Sequence, residues 1–349
     1  MRVLFRCDGN MEVGLGHVSR SVALAEALQD AGGAAVFHGS YDRGARLLLE
    51  SARVEVSPAV ASPATEEDAR ETALALQSQR AAALVVDGYA FDAAFFARVS
   101  EEATGRPLVV VDDFGRVAPY PRFTRVLNFT FQAEGMNYVG EDLDVVRGPR
   151  YMLVRRAVRD VRRAGGGASP AERVDGGALL IAVGGVDRHG LTGRVLRGLQ
   201  DIEYVGRVDV VLRESAPDRE SVRALTAALG ASARLYGQLP HLGDRFREAA
   251  ACVTGGGLTK YEACYLGVPC AVGSQSIGEA EDTAVALSLG LVADLGAASS
   301  EPELSRALAR FLAPDVQARL AAACYASFPE DPTRDALARV LPESRSATS

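Results

Sequence analysis

One histidine sits between a pair of glycines and a helical pattern. In GNMEVGLGHVSRSVALAEAL, residues 9–28, His17 follows Gly14 and Gly16 directly behind the apolar opening MRVLF. The two glycines permit a tight turn with close approach of the main chain. A helix starting near His17 or Val18 offers unpaired N–H groups and the positive end of its dipole. That field disfavours a protonated imidazole and keeps His17 able to take a proton. Arg20, one turn on, is spaced to meet a phosphate or a carboxylate. A histidine that only caps or packs against the turn fits the same residues, and the local sequence leaves both readings open.

A second glycine cluster, GGGLTKYEACYLGVP at residues 255–269, follows an apolar run and precedes another helical pattern. Gly255, Gly256 and Gly257 would let the main chain approach a diphosphate at the helix start formed by Leu258 and Thr259. Glu262, one turn inside, is then positioned to receive the two hydroxyls of a ribose. The GK[ST] ending of a P-loop is absent, as is the dinucleotide GxGxxG spacing. A glycine-rich turn with an exposed glutamate is the plainer alternative. VGGVDRHGLT, residues 183–192, makes Gly184 and Gly185 another wall of such a pocket, with His189 as a surface loop residue. Asp87 and Tyr89 in VVDGYAFD, and Asp112 and Asp113 in VVVDDFG, stand where apolar runs end. Acids there point toward a ligand crevice, where they orient a sugar or raise the basicity of a histidine. Asp112 and Asp113 serve equally well as caps of the next turn.

These groups need strands to carry them. Short branched runs at 3–7, 34–38, 53–56, 83–87, 108–112 and 125–129 alternate with helical stretches such as SRSVALAEALQDAG, which Gly32 stops. That rhythm predicts a parallel sheet with helices on both faces. It breaks over residues 161–177, VRRAGGGASPAERVDGG, which reads as a linker. It resumes at 178–183, 207–213, 233–237, 250–255 and 269–273. The expectation is an α/β chain of two Rossmann-like domains, 1–160 and 178–330, with a ligand cleft between them. Residues 331–349 read as a tail whose helix packs back on the first domain.

The chain has 349 residues, a formal charge of −7, 48% hydrophobic and 24% charged residues. This composition suits a soluble globular protein and argues against nucleic acid or an anionic membrane as the main partner. The five cysteines form no CxxC pair or zinc spacing and read as reduced. There is neither a signal-peptide pattern nor an apolar run long enough to span a bilayer, so a cytoplasmic enzyme is expected. No metal-ligand set or cofactor motif stands out, and oligomeric state is not legible.

Taken in order, VLFRCDGNMEVGLGHVSRSVALAEAL, VVDGYAFD, VVVDDF, LNFTF, GPRYMLVR, AVGGVDRHGLTGRVLRGL and TGGGLTKYEACYLGVPC resemble a known family over roughly residues 1–300. It is the UDP-2,4-diacetamido-2,4,6-trideoxy-β-L-altropyranose hydrolases of pseudaminic acid biosynthesis. The resemblance implies a GT-B fold similar to that of the peptidoglycan N-acetylglucosaminyltransferase. The C-terminal domain would hold UDP and the N-terminal domain would meet the sugar. It further implies that His17 activates water against the anomeric carbon without a metal, that Tyr89 shares that site with Asp87, and that Glu262 and its glycines contact uridine ribose and diphosphate. Gln275 stands where the family carries a polar contact. Departures at RCDGN, GHVSRS and SQSIGEAED point to a paralogue acting on another nucleotide-activated sugar. A glycosyltransferase of the same architecture, with an acceptor hydroxyl in place of water, is the alternative; few aromatics beyond Tyr89, Phe91, Phe95 and Phe96 are available in the first domain to form an acceptor surface.

Overall fold

The computed structural model describes residues 1–10, 12–103, 105–115, 117–165, 177–184, 187, 189–296 and 300–341. Most of the expected linker, Gly185 and the end of the tail lie outside the described residues. The chain divides into two compact units, Met1–Arg156 with Asp331–Ser349, and Ala157–Glu330.

The first unit is built on β1 (Arg2–Cys7), β2 (Ala34–Gly39), β3 (Glu55–Pro58), β4 (Ala83–Asp87), β5 (Leu108–Val111), β6 (Arg125–Asn128) and β7 (Asp144–Arg147). They form one sheet in the order β3-β2-β1-β4-β5-β6-β7, and all its pairs are parallel. Central strands such as β4 are buried at every residue, because helices cover both faces. Leu4, Leu84, Val110 and Val126 from the strands pack with Phe91, Phe95, Phe96 and Val99 in one core. The three phenylalanines are therefore core residues and supply no outer surface. Helix Pro332–Val340 returns to this unit and packs on helix Gly16–Asp30 and β6. There the Thr333 hydroxyl accepts from Val154 N at 2.8 Å.

The second unit carries β8 (Ala178–Ala182), β9 (Val208–Val211), β10 (Ala233–Tyr236), β11 (Ala249–Thr254), β12 (Cys270–Val272) and β13 (Ala293–Asp294). The order is β10-β9-β8-β11-β12-β13, again parallel throughout. Its core joins Leu179, Ile181, Val210 and Val253 to Val195 and Leu199 of helix Leu191–Asp201. Each unit is thus a Rossmann-like α/β layer structure.

Two strands escape sequence reading. β7 is a four-residue strand with a charge at each end, and β13 has two residues, so neither makes an apolar run. β3 begins two residues later than the run at 53–56, because Arg53 turns with φ of +53° and the strand itself is largely exposed. All five cysteines are free and buried. Among the described residues, no helix is long and apolar enough to cross a membrane.

Candidate active site

In an open parallel sheet the ligand crevice opens where neighbouring strands send their chains to opposite sides, outside the strands' carboxyl ends. In the first sheet that point lies between β1 and β4, where Cys7 and Asp87 are register partners. The segment after β1 is held by Asn10, whose side-chain oxygen accepts from Glu12 N and Val13 N at 2.9 and 3.0 Å. Gly14 closes the turn with φ of +78° and donates to Asn10 O at 2.8 Å. Helix Gly16–Asp30 begins at once, with no side chain capping it, and His17 is its second residue. A Cβ on Gly16 would meet nothing within 4 Å, so the space beside the helix start is open.

His17 Nδ1 lies 2.7 Å from Asp87 Oδ1. A carboxylate only accepts, so the proton of a neutral ring sits on Nδ1 and the lone pair on Nε2. Nε2 has no hydrogen-bond partner among the described residues, which leaves it for a proton from outside. Arg20 grips the same carboxylate with both arms, Nε to Oδ2 at 2.7 Å and Nη2 to Oδ1 at 2.6 Å. Its Nη1 donates to Asp113 Oδ2 at 2.5 Å. The 3.1 Å approach of Arg20 Nη2 to His17 Nδ1 is then a contact of two donors, both turned to Asp87. Ser21 adds a hydroxyl to Asp87 Oδ2 at 3.2 Å, and the Tyr89 hydroxyl donates to Asp113 Oδ2 at 2.8 Å. The Tyr89 ring stands edge-on to the His17 ring, centroids 4.4 Å apart.

Burial alone would raise the Asp87 carboxyl, but Arg20 and then His17 outweigh it and hold the group below its ordinary value. Burial, with Asp113 beside it, pushes the Tyr89 hydroxyl up against the pull of Arg20, so Tyr89 stays a neutral donor. Arg20 is 4% exposed and spends its donors on the two aspartates. Of the phosphate or carboxylate that its spacing predicts for Arg20, the described residues supply two internal carboxylates.

Breaking this buried pair is costly because each charge is left alone in a poor solvent. Arg20→Met is expected to destabilise the protein by about 3–5 kcal/mol near neutral pH, read by thermal unfolding. In the wild type, the lowered Asp87 pKa contributes stability that is present above the ordinary carboxylate range and lost as pH falls through the native value. Without Arg20, burial raises the Asp87 pKa, so the variant's deficit is largest near neutrality and shrinks on acidification. A deficit that grows in acid would contradict this assignment.

Adjacent residues at a strand end point to opposite sides, and the Asp112–Asp113 pair divides accordingly. Asp112 faces its own loop, accepting from Phe114 N, Val117 N and the Tyr120 hydroxyl at 3.1, 3.0 and 2.6 Å. The structure gives Asp112 the turn-holding role and brings Asp113 to the His17 cluster.

The second sheet changes direction between β8 and β11, where Ala182 and Thr254 are partners. Gly184 follows β8 with φ of +119°, and Gly255, Gly256 and Gly257 follow β11. These glycines differ in purpose. A Cβ on Gly255 would fall 2.5 Å from Val183 O, and one on Gly256 would fall 2.4 Å from Glu279 Cβ, so packing demands both. Gly184 and Gly257 would meet nothing within 4 Å and leave the main chain open to an outside group. Gly257 caps helix Leu258–Leu266 without a side chain, which leaves the first turn, Leu258 and Thr259, for an anion. Glu262 is half-buried on the same helix. Gln275 donates its main-chain N–H to Glu279 Oε2 at 2.7 Å, while exposed His189 reaches Gln275 O at 3.2 Å.

Sequence reading missed Lys260. Fully buried, it donates to Gly256 O at 2.6 Å and pairs with Asp282 Oδ2 at 2.5 Å, where the Tyr261 hydroxyl also bonds at 2.6 Å. Lys260 and Asp282 thus tie the glycine turn to helix Ile277–Ser288. A lysine in a TKYE stretch gives no sign of such burial, because its partner lies 22 residues further on. Among the described residues, no group of three or more His, Cys, Asp or Glu is arranged to hold a metal ion.

No family model matches the chain. It is similar to the spore coat polysaccharide biosynthesis protein SpsG of Bacillus subtilis, 24% identical over 306 residues, 87% of this chain and 86% of that one. Among solved structures it resembles MurG of Acinetobacter baumannii, with a TM-score of 0.63, 13% identity, and coverage of 97% of this chain and 99% of that one. It also resembles the spinosyn forosaminyltransferase SpnP, with a TM-score of 0.65, 16% identity, and coverage of 98% and 97%. A third is the UDP-GlcNAc 2-epimerase of Neisseria meningitidis bound to UDP-GlcNAc, with a TM-score of 0.63, 13% identity, and coverage of 97% of each chain. At such identities the likeness carries architecture, and the architecture is that of the GT-B proteins: two parallel-sheet Rossmann-like α/β domains.

Proposed function

We propose that the protein hydrolyses a UDP-activated sugar, with the water made nucleophilic by His17. The observation that carries this reading is the 2.7 Å pairing of His17 Nδ1 with a buried Asp87 at the switch point of the first sheet, which in a neutral ring keeps the proton on Nδ1 and the lone pair on Nε2. Water at neutral pH is a poor nucleophile, and a neutral imidazole held in one tautomer accepts its proton as the O–C bond forms. Asp87 then stabilises the imidazolium that results. The anomeric carbon's bond to the diphosphate oxygen breaks as water attacks, and UDP departs. On this reading Gly184, Gly255, Gly256, Gly257, Leu258 and Thr259 hold the diphosphate through main-chain N–H groups, and Glu262 takes the ribose. Similarity to a polysaccharide biosynthesis protein and to a fold shared with a UDP-GlcNAc enzyme supports the substrate class. The ordered motifs, together with their departures, support a paralogue of the hydrolases of UDP-diacetamido-trideoxy sugars that acts on another nucleotide-activated sugar.

Transfer to an acceptor hydroxyl is the second reading, favoured by the glycosyltransferases that share the fold. The core positions of Phe91, Phe95 and Phe96 weigh against it, since they leave less aromatic surface for an acceptor. Incubating the protein with UDP- and CMP-sugars, with and without acceptors and EDTA, separates the two by NMR of nucleotide and sugar. UDP and free sugar should appear together with no acceptor present, and the rate should persist in EDTA. Release only on addition of an acceptor sinks the hydrolase reading.

Glu262→Ala is expected to weaken UDP binding by about tenfold, the cost of roughly one charged hydrogen bond. Calorimetric titration with UDP and with 2′-deoxy-UDP checks it. If the two nucleotides lose affinity unequally, so that the variant no longer tells them apart, the ribose role stands. A fall in kcat with UDP affinity unchanged would remove it.

A further inference from the structure

Asp113 carries an oxygen that the fold leaves unpaired. Its Oδ2 receives Arg20 Nη1 at 2.5 Å and the Tyr89 hydroxyl at 2.8 Å, whereas Oδ1 is buried and has no hydrogen-bond partner among the described residues. The whole residue is 7% exposed. A buried carboxylate oxygen without a donor is unfavourable, and such orphans in an otherwise satisfied network mark places where an outside group completes the bonding. Other oxygens of the cluster have no such vacancy. Asp87 Oδ1 and Oδ2 are each met by Arg20, and further by His17 or Ser21.

Charge points the same way. With His17 neutral, one guanidinium faces two carboxylates, so the cluster keeps one negative charge in excess. An anion is disfavoured there, and a hydrogen-bond donor or a carbon gaining positive charge is favoured. Tyr89, at 46% exposure, is the cluster's one half-exposed member, and it already bonds the other oxygen of Asp113. A ligand group that enters beside Tyr89 comes up against the acid to which Tyr89 bonds, and Oδ1 is the acceptor that this acid has left to offer.

We propose that Asp113 is the residue that recognises the sugar: its Oδ1 accepts a hydrogen bond from a hydroxyl or N–H on the sugar ring close to the carbon attacked at His17. This rests on the nucleotide-sugar reading above and sharpens it. The sugar must present a donor on the face turned toward His17, and a ring that is deoxygenated or carries only an acceptor there is rejected. Arg20 and Tyr89 become positioning residues that aim the free oxygen.

Asp113→Asn tests it, because its amide oxygen can still take the Arg20 and Tyr89 bonds while its NH2 replaces Oδ1 and presents a donor to a donor. Titrations use UDP, UDP-glucose, UDP-N-acetylglucosamine, UDP-galactose and the 2-, 3- and 4-deoxy forms of UDP-glucose, with wild type and variant. The wild type should bind at least one UDP-sugar tenfold or more tighter than UDP. The variant should bind UDP within twofold of the wild type and lose at least tenfold of that sugar increment. An analogue lacking the contacted donor should bind both proteins alike. A variant with its sugar increment intact overturns the proposal. If the variant melts early, the deoxy series on the wild type decides alone, since the proposal requires one position whose deletion costs tenfold. A wild type that binds neither UDP nor any UDP-sugar overturns the nucleotide-sugar reading instead.

Discussion

His17→Asn is expected to lower kcat by about 10²–10⁴-fold, the usual worth of a positioned general base, while leaving UDP affinity within a few fold. Asparagine is close in size and its NH2 can still donate to Asp87, so the 2.7 Å link that anchors the helix start is retained in kind. What it lacks is a basic lone pair where Nε2 stood. The loss belongs to kcat because, in the proposed reaction, the base acts on water in the transition state and does not hold the nucleotide. Turnover on a responding UDP-sugar and titration with UDP measure the two quantities separately. A variant that keeps the full rate removes His17 from the chemistry, and one that loses UDP binding as well moves it to the nucleotide site.

Asp87→Asn should be almost as damaging, by about 10²–10⁴-fold in kcat, because the tautomer of His17 depends on it. Asp87 Oδ1 accepts from the imidazole and from Arg20 Nη2, and Oδ2 accepts from Arg20 Nε and Ser21. An asparagine offers one oxygen and one NH2, so one edge of this arrangement must place donor against donor. Should the NH2 face His17, the imidazole must accept at Nδ1 and carry its proton on Nε2, which removes the base. Should it face Arg20, the guanidinium loses half of its clamp and no carboxylate charge is left to support an imidazolium. Either way the UDP dissociation constant should change less than threefold, since the residues proposed to hold the nucleotide belong to the other unit. Steady-state kinetics with a thermal melt checks it, and a kcat within threefold of wild type would contradict the coupling of Asp87 to His17.

Much of the fold is legible in the sequence because strands buried on both faces leave unbroken apolar runs. β4 coincides with ALVVD, and β1, β2, β5 and β6 differ from their runs by one residue at an end. The edge strands β7 and β13 escape because they are short, charged and only partly buried, whereas the edge strands β3 and β10 still leave readable runs. Local spacing also brings out His17 and Arg20 at a helix start and Asp87 and Tyr89 at a strand end. It cannot tell which partners they take, since those contacts span 24 to 93 residues of sequence. Arg20 is the clearest example: spacing marks it for an anion, and only the fold makes that anion two internal aspartates. The Asp112–Asp113 pair is decided by side-chain alternation at the end of β5, which a doubled letter does not reveal. Lys260 was invisible for the opposite reason, because lysine is almost never fully buried unless a partner such as Asp282 is brought to it.

The most direct test of water activation at the anomeric carbon is turnover in ¹⁸O-labelled water with a responding UDP-sugar and no acceptor, followed by mass spectrometry of the nucleotide and NMR of the sugar. Attack as described yields free sugar together with UDP that contains no ¹⁸O, because the bond broken joins carbon to oxygen. Label in the β-phosphate of UDP, or UDP released only after an acceptor is added, would contradict it.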